Sequence, residues 1–111
     1  MSIRTSTIKP GRQALIAVIA TLEATDEYAE AFAAALNEIA PICRSDAEPG
    51  CISYYPSRLP DAPNVFKVLE VYTDEAAIAA HREAPHFETL KALFGKGFAK
   101  PPVVERIPVI G

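Results

Sequence analysis

The chain has 111 residues, 50% of them hydrophobic and 23% charged, with a net charge of −3. That length holds one domain with one core, and the composition is that of a globular protein, which excludes a disordered chain. Two cysteines exclude a disulfide scaffold, no apolar run is long enough to span a bilayer, and eleven scattered Lys and Arg make no basic surface for nucleic acid.

Residues 1–13, rich in Ser, Thr, Pro and Gly, read as a flexible N-terminal arm, and 14–111 as a single domain. Arg4, Lys9 and Arg12 ahead of an apolar stretch have the outline of a secretory signal. The stretch is β-like, however, and no small-residue cleavage site follows it. The expected location is therefore cytoplasmic, with Cys43 and Cys51 as reduced thiols.

Residues 14–22 are apolar on both alternating faces and predict a strand buried on two sides. Thr25 is placed to cap the next helix, with Asp26 and Glu27 in its first turn. Ala29, Phe32, Ala33, Leu36, Ile39, Ala40 and Cys43 then form one apolar stripe, and Pro41 predicts a kink within it. Glu48-Pro-Gly50 turns the chain. Strands follow at 51–58 and 65–72, separated by a turn-rich connection at 59–64. In the second, Phe66, Val68, Glu70 and Tyr72 share a face. A short helix starts at 73–75 and ends near Arg82, with Ala76, Ala77 and Ala80 allowing close packing. Pro85 opens another helix whose apolar face is Phe87, Leu90, Leu93 and Phe94, stopped by Gly95 and Gly97. Residues 103–110 form the last strand, with Pro108 at an edge or outside the ladder.

The order strand, helix, strand, strand, broken helix, strand is the split βαβ of an α+β, ferredoxin-like domain: a four-stranded antiparallel sheet with helices on one face. Helices cover one face only, yet three strands are apolar on both. A symmetric homodimer with the bare faces together is the expected remedy.

Phosphate-binding glycine loops, nucleophile elbows and zinc motifs are absent from the sequence. Tyr54, Glu70, Tyr72, His81 and His86 remain as chemistry-bearing residues. Glu70, a carboxylate on an apolar strand face, is either paired at a rim or held in a cavity that raises its pKa. His81 and His86 are either structural groups or general bases; five apart across a helix break, they do not share a helical face, so no metal site is expected. Tyr54 and Tyr72 are either packing residues or phenol donors beside a flat ligand.

Glu48-Pro-Gly-Cys51 with Tyr54, the Phe66 to Tyr72 pattern Phe-x-x-x-Glu-x-aromatic, His81, and Pro85-His-Phe87 together resemble the antibiotic biosynthesis monooxygenase (ABM) domain family. The resemblance implies a dimeric α+β barrel and a pocket in each subunit between sheet and helices. Characterised members include cofactor-free oxygenases of anthrones and quinols, haem-degrading enzymes and an isomerase of a phosphorylated sugar. The first-strand Asn and last-helix His of the haem-degrading members have no counterpart here. Tyr72 stands where relatives often carry Trp, and Val68 where some oxygenases carry an amide. The activity implied is cofactor-independent monooxygenation of a small electron-rich aromatic, quinol- or anthrone-like, with molecular oxygen as the partner substrate. His81 is the candidate base, Glu70 its orienting partner, and Tyr72 a donor; Tyr54, Phe66, Val68, His86 and Phe87 are candidate substrate-binding residues. The alternatives are an isomerase of a small carbonyl or sugar-phosphate compound, and a non-catalytic dimeric binding module. An anion site lined by Arg58, Arg82 or Lys91 would favour a phosphorylated substrate.

Overall fold

A computed structural model describes residues 15–111; the expected arm at 1–13 lies outside the described residues. Strand β1 (Ile16–Glu23) leads through a turn into helix α1 (Ala29–Cys43), and the hairpin β2 (Cys51–Leu59) and β3 (Ala62–Tyr72) follows. Helix α2 (Glu75–Glu83), a 3-10 turn (Pro85–Phe87), helix α3 (Glu88–Phe94) and strand β4 (Val103–Pro108) complete the chain. The strands form one antiparallel sheet in the order β2-β3-β1-β4, the ferredoxin-like arrangement. No helix among the described residues is long and apolar enough to cross a membrane.

The register divides the sheet into two chemically different faces. Val18 pairs with Glu70 and Arg106, and Ala20 with Val68 and Val104, so these residues share the helix side. Phe32, Leu36 and Ile39 of α1 pack there against Leu22, Phe66 and Val68, all 4% exposed or less. At roughly 1.5–3 kcal/mol for each large apolar side chain buried, this interface is the main source of the domain's stability. Opposite lie Ile19, Leu69, Tyr55 and Glu105 in one row and Ala17, Val71 and Ile107 in the next. Tyr55 (55%), Leu69 (47%) and Ile107 (42%) stay exposed on this helix-free face.

Several local expectations are revised. Thr25 does not cap α1: its N–H bonds to the Gly97 carbonyl, a turn occupies 26–28, and the Thr25 hydroxyl is buried with no partner. Asp26 instead accepts a hydrogen bond from Asn64 at 2.6 Å. Pro41 sits inside α1 on its exposed side, where water can reach the Asn37 carbonyl that lost its donor. The connection between β2 and β3 is only Pro60-Asp61, because Leu59 already pairs with Ala62. On α2 the buried residues are Ile78 and His81, three apart on one face, while Ala76 and Ala80 are exposed. Asp74 caps this helix, accepting from the Ala77 N–H at 2.9 Å. Both prolines in or ending edge strands, Pro56 and Pro108, sit on β2 and β4 as the missing donor requires.

Candidate functional site

Between the sheet and the pair α2 and α3 lies a cavity of about 430 Å³, within the size range of small-molecule sites. Val18, Ala20 and Leu22 of β1, Val68 and Glu70 of β3 and Tyr54 of β2 form its floor. They do so because alternate strand residues point to one face. Ile78, His81, Phe87 and Leu90 form the roof. Arg82, Glu83, Lys91, Val104 and Arg106 also line it, and since all five are exposed they mark its mouth.

Glu70 is the polar group in the floor. It is 9% exposed, and its carboxylate accepts a hydrogen bond from the Tyr72 hydroxyl at 2.6 Å. The two residues lie on one strand face two positions apart, which brings the side chains together. Burial pushes the Glu70 carboxyl up from the ordinary 4.5 to about 7, against the opposing pull of the Tyr72 hydrogen bond and the Arg82 charge. Burial first, then the neighbouring Glu70, pushes the Tyr72 and Tyr54 phenols up, so both remain protonated donors.

The roof holds a second polar cluster. Gly50 lets the turn after α1 lie directly on α2, where any larger residue would collide with Ala77. The Thr73 N–H donates to the Gly50 carbonyl at 2.9 Å and ties this turn to the end of β3. Glu48 is thereby carried inward and is 7% exposed. Its carboxylate faces His81 Nδ1 at 2.9 and 3.0 Å and pairs with His86 Nε2 from the 3-10 turn. Cys43 Sγ, at the end of α1, lies 3.8 Å from His81 Nδ1. The His81 ring is packed among Tyr54, Tyr72 and Phe87, with centroids 5.1, 5.6 and 4.9 Å away. Burial lowers the His81 pKa, with Glu48 opposing, so the ring is neutral near pH 7. Nδ1 facing a carboxylate assigns the proton to that nitrogen and leaves Nε2 as the acceptor.

Of the residues singled out in the sequence, Tyr54, Val68, Glu70, His81 and Phe87 line the cavity. Three others do not. Tyr72 stands behind Glu70, Phe66 stacks on Phe32 at 6.3 Å on the α1 side, and His86 stands behind Glu48. His81 is held by Glu48, whereas Glu70 is held by Tyr72, so the expected Glu70–His81 pairing is replaced by two separate pairs. Glu48 was read as part of a turn and of the family pattern, with no role of its own. It stands beside a Pro-Gly turn, and turns carry no periodicity that predicts burial. Arg58 lies elsewhere, bound to Glu30 at 2.7 Å, while Arg82 and Lys91 reach the cavity.

Cys43, Glu48, His81 and His86 each present a donor atom within 4.8 Å of the others, a set whose softness suits a zinc-like ion. His81 and His86 do not share a helical face, as their spacing implied, yet the fold joins them through Glu48. In the structure the four groups satisfy one another by hydrogen bonding, and burial pushes the Cys43 thiol up. Cys51, half-buried, is pushed up to about 12 by burial in the same way, so neither cysteine is an activated nucleophile.

The Glu70 environment has a measurable consequence. Its folded pKa of about 7 exceeds the ordinary 4.5, so the native state holds this proton more tightly than the unfolded chain. The contribution to stability is complete at low pH and is lost as pH rises through that window, by an amount on the order of 3 kcal/mol. Glu70→Gln keeps an acceptor for Tyr72 and removes the titration. Denaturant melts between pH 4.5 and 7 are expected to show a flatter stability profile for the variant than for the parent. Parallel profiles would contradict the burial of an ionisable Glu70.

The antibiotic biosynthesis monooxygenase family model matches residues 15–93. A search of curated proteins gives no match. Among solved structures, a Caulobacter crescentus CB15 protein described as a candidate antibiotic biosynthesis monooxygenase is 30% identical, with a TM-score of 0.78 over 89% of this chain and 92% of that one. The Rv0793 protein of Mycobacterium tuberculosis is 26% identical, with a TM-score of 0.77 over 88% and 97%. A Pseudomonas aeruginosa protein at 22% identity and TM-score 0.78, covering 88% and 96%, shares the fold. With the sheet order, the cavity between sheet and helices and a family match over most of its length, the chain belongs to the antibiotic biosynthesis monooxygenase family.

Proposed function

We propose that the chain is a monooxygenase that needs no cofactor and acts on a small electron-rich aromatic of quinol or anthrone type. The observation that carries the reading is His81, fixed through Nδ1 by Glu48 and bordering a mostly apolar cavity that also holds Glu70 and Tyr54. A phenol or enol entering the cavity gives its proton to His81 Nε2, the ring nitrogen that Glu48 leaves free. The imidazolium so formed is stabilised by the Glu48 carboxylate. The Tyr54 hydroxyl and the protonated form of Glu70 donate to the substrate oxygen as negative charge develops on it. The substrate anion then reduces molecular oxygen. For an anthrone-like CH₂, two C–H bonds are exchanged for one C=O, and the second oxygen atom leaves as water, so every electron that reduces oxygen comes from the substrate. The apolar walls keep bulk water from the reactive anion. In this reading Tyr72 positions Glu70, and His86 positions Glu48; neither touches substrate.

The test is oxygen uptake by purified protein against hydroquinones, dihydroxynaphthalenes and anthrones. Uptake above the spontaneous rate, reduced about 10²-fold or more in His81→Ala, is the expected result. Full activity in the variant, or no uptake across the panel, contradicts the reading.

The helix-free face belongs to the same proposal. Tyr55, Leu69 and Ile107 leave an apolar surface that a monomer would expose, and the charges on the same face, Lys67 and Glu105, are of opposite sign, as a self-complementary surface needs. A second copy of the chain is the occupant. Light scattering is expected to give twice the 12.0 kDa chain mass, falling to the single-chain mass in Leu69→Glu. A parent that runs as a monomer overturns this part.

A further inference from the structure

We infer that the substrate carries an anionic group, a carboxylate or a phosphate, and that Arg82, Lys91 and Arg106 receive it at the cavity mouth. The inference rests on the reading of this cavity as the substrate site. The cavity is chemically divided along its depth. Its interior is apolar apart from Glu70, Tyr54 and His81. Its exposed lining holds three cations, Arg82 from α2, Lys91 from α3 and Arg106 from β4, against one carboxylate, Glu83. This excess of positive charge stands on a chain whose net charge is −3, so the mouth opposes the sign of the molecule as a whole.

The orientation of the neighbouring acids supports the same reading. Arg106 pairs with Glu75, and Lys91 with Glu88 at 3.4 Å, but neither acid lines the cavity although both cations do. Both pairs are solvent-exposed, where such pairs contribute little and exchange readily for another anion. Arg82 has no ion-pair partner among the described residues, and its guanidinium can take a carboxylate or phosphate in two parallel hydrogen bonds. Since the cations come from three separate elements around the opening, an anion held there places the body of the ligand in the apolar interior. A molecule so held has its apolar body in the interior that His81 and Glu70 line. A neutral quinol has nothing to contribute at the mouth, whereas an aromatic acid or aryl phosphate is oriented by it. The ligand class is thus an amphipathic aromatic with one anionic end.

Calorimetry under anaerobic conditions separates this from the chemistry. The probes are naphthol, a hydroxynaphthoate and naphthyl phosphate, titrated into the parent and into the double variant Arg82→Gln/Arg106→Gln. At least one anionic probe is expected to bind about tenfold or more tighter than naphthol, with the advantage shrinking as salt is added. Which of the two gains more assigns carboxylate or phosphate. In the double variant the advantage is expected to collapse toward parity while naphthol affinity stays unchanged, which shows the cavity intact. Naphthol binding as tightly as both anions overturns the inference, as does an advantage that survives in the double variant or a cavity that binds none of the three. Because no oxygen is present, selective anion binding by a chain that never consumes oxygen would sink the monooxygenase reading alone. Oxygen uptake with neutral substrates and no anion preference would sink this inference alone.

Discussion

A carboxylate placed where water scarcely reaches must be given partners, and Glu48 is such a group. An unpaired buried charge is worth several kcal/mol of destabilisation, so the fold around it is constrained to supply donors. It does so from three directions: His81 on α2, His86 on the 3-10 turn, and Cys43 at the end of α1. The turn that carries Glu48 must therefore close on α2, which is possible because residue 50 is glycine and its carbonyl is tied to Thr73. One electrostatic requirement thus links the first helix, the broken second helix and the end of β3. It also fixes the ring of His81 at the edge of the cavity.

The cavity is consequently bounded by two independent polar pairs. On the roof, Glu48 sets the tautomer and orientation of His81; on the floor, Tyr72 holds Glu70. Burial acts on the two titrating groups in opposite directions, lowering the imidazole below its ordinary value and raising the carboxyl to about 7. A neutral base and a partly protonated acid then coexist at pH 7, the condition under which one site can remove a proton and stabilise the resulting anion. The apolar side chains between them make both shifts possible by excluding solvent.

Much of this was legible in the chain, and the reasons for the remainder are specific. The two-residue period in β3 placed Val68, Glu70 and Tyr72 on one face, and the apolar stripe of α1 is close to that expected, with Ala35 buried in place of Ala33. Strand and helix periodicities report on local geometry, and the element order they yield was enough to give the ferredoxin-like fold class. The partner of His81 was hidden because Glu48 is 33 residues away in a turn with no repeating pattern. Likewise, His81 and His86 looked unrelated across a helix break, yet their shared acceptor, not a shared helical face, brings them together. Thr25 misled for the converse reason. Its capping chemistry is sound locally, but pairing of Thr25 with Gly97 and of Asp26 with Asn64 delays the helix to Ala29.

The account turns on the proton of His81, which must sit on Nδ1 toward Glu48 so that Nε2 is free to accept at the cavity. Nitrogen-15 NMR of the imidazole rings reads this directly in the resting protein. The account predicts a neutral ring at pH 7 with hydrogen on Nδ1, and a changed tautomer balance in Glu48→Gln. A resting His81 that is an imidazolium, or that carries its hydrogen on Nε2, would contradict it.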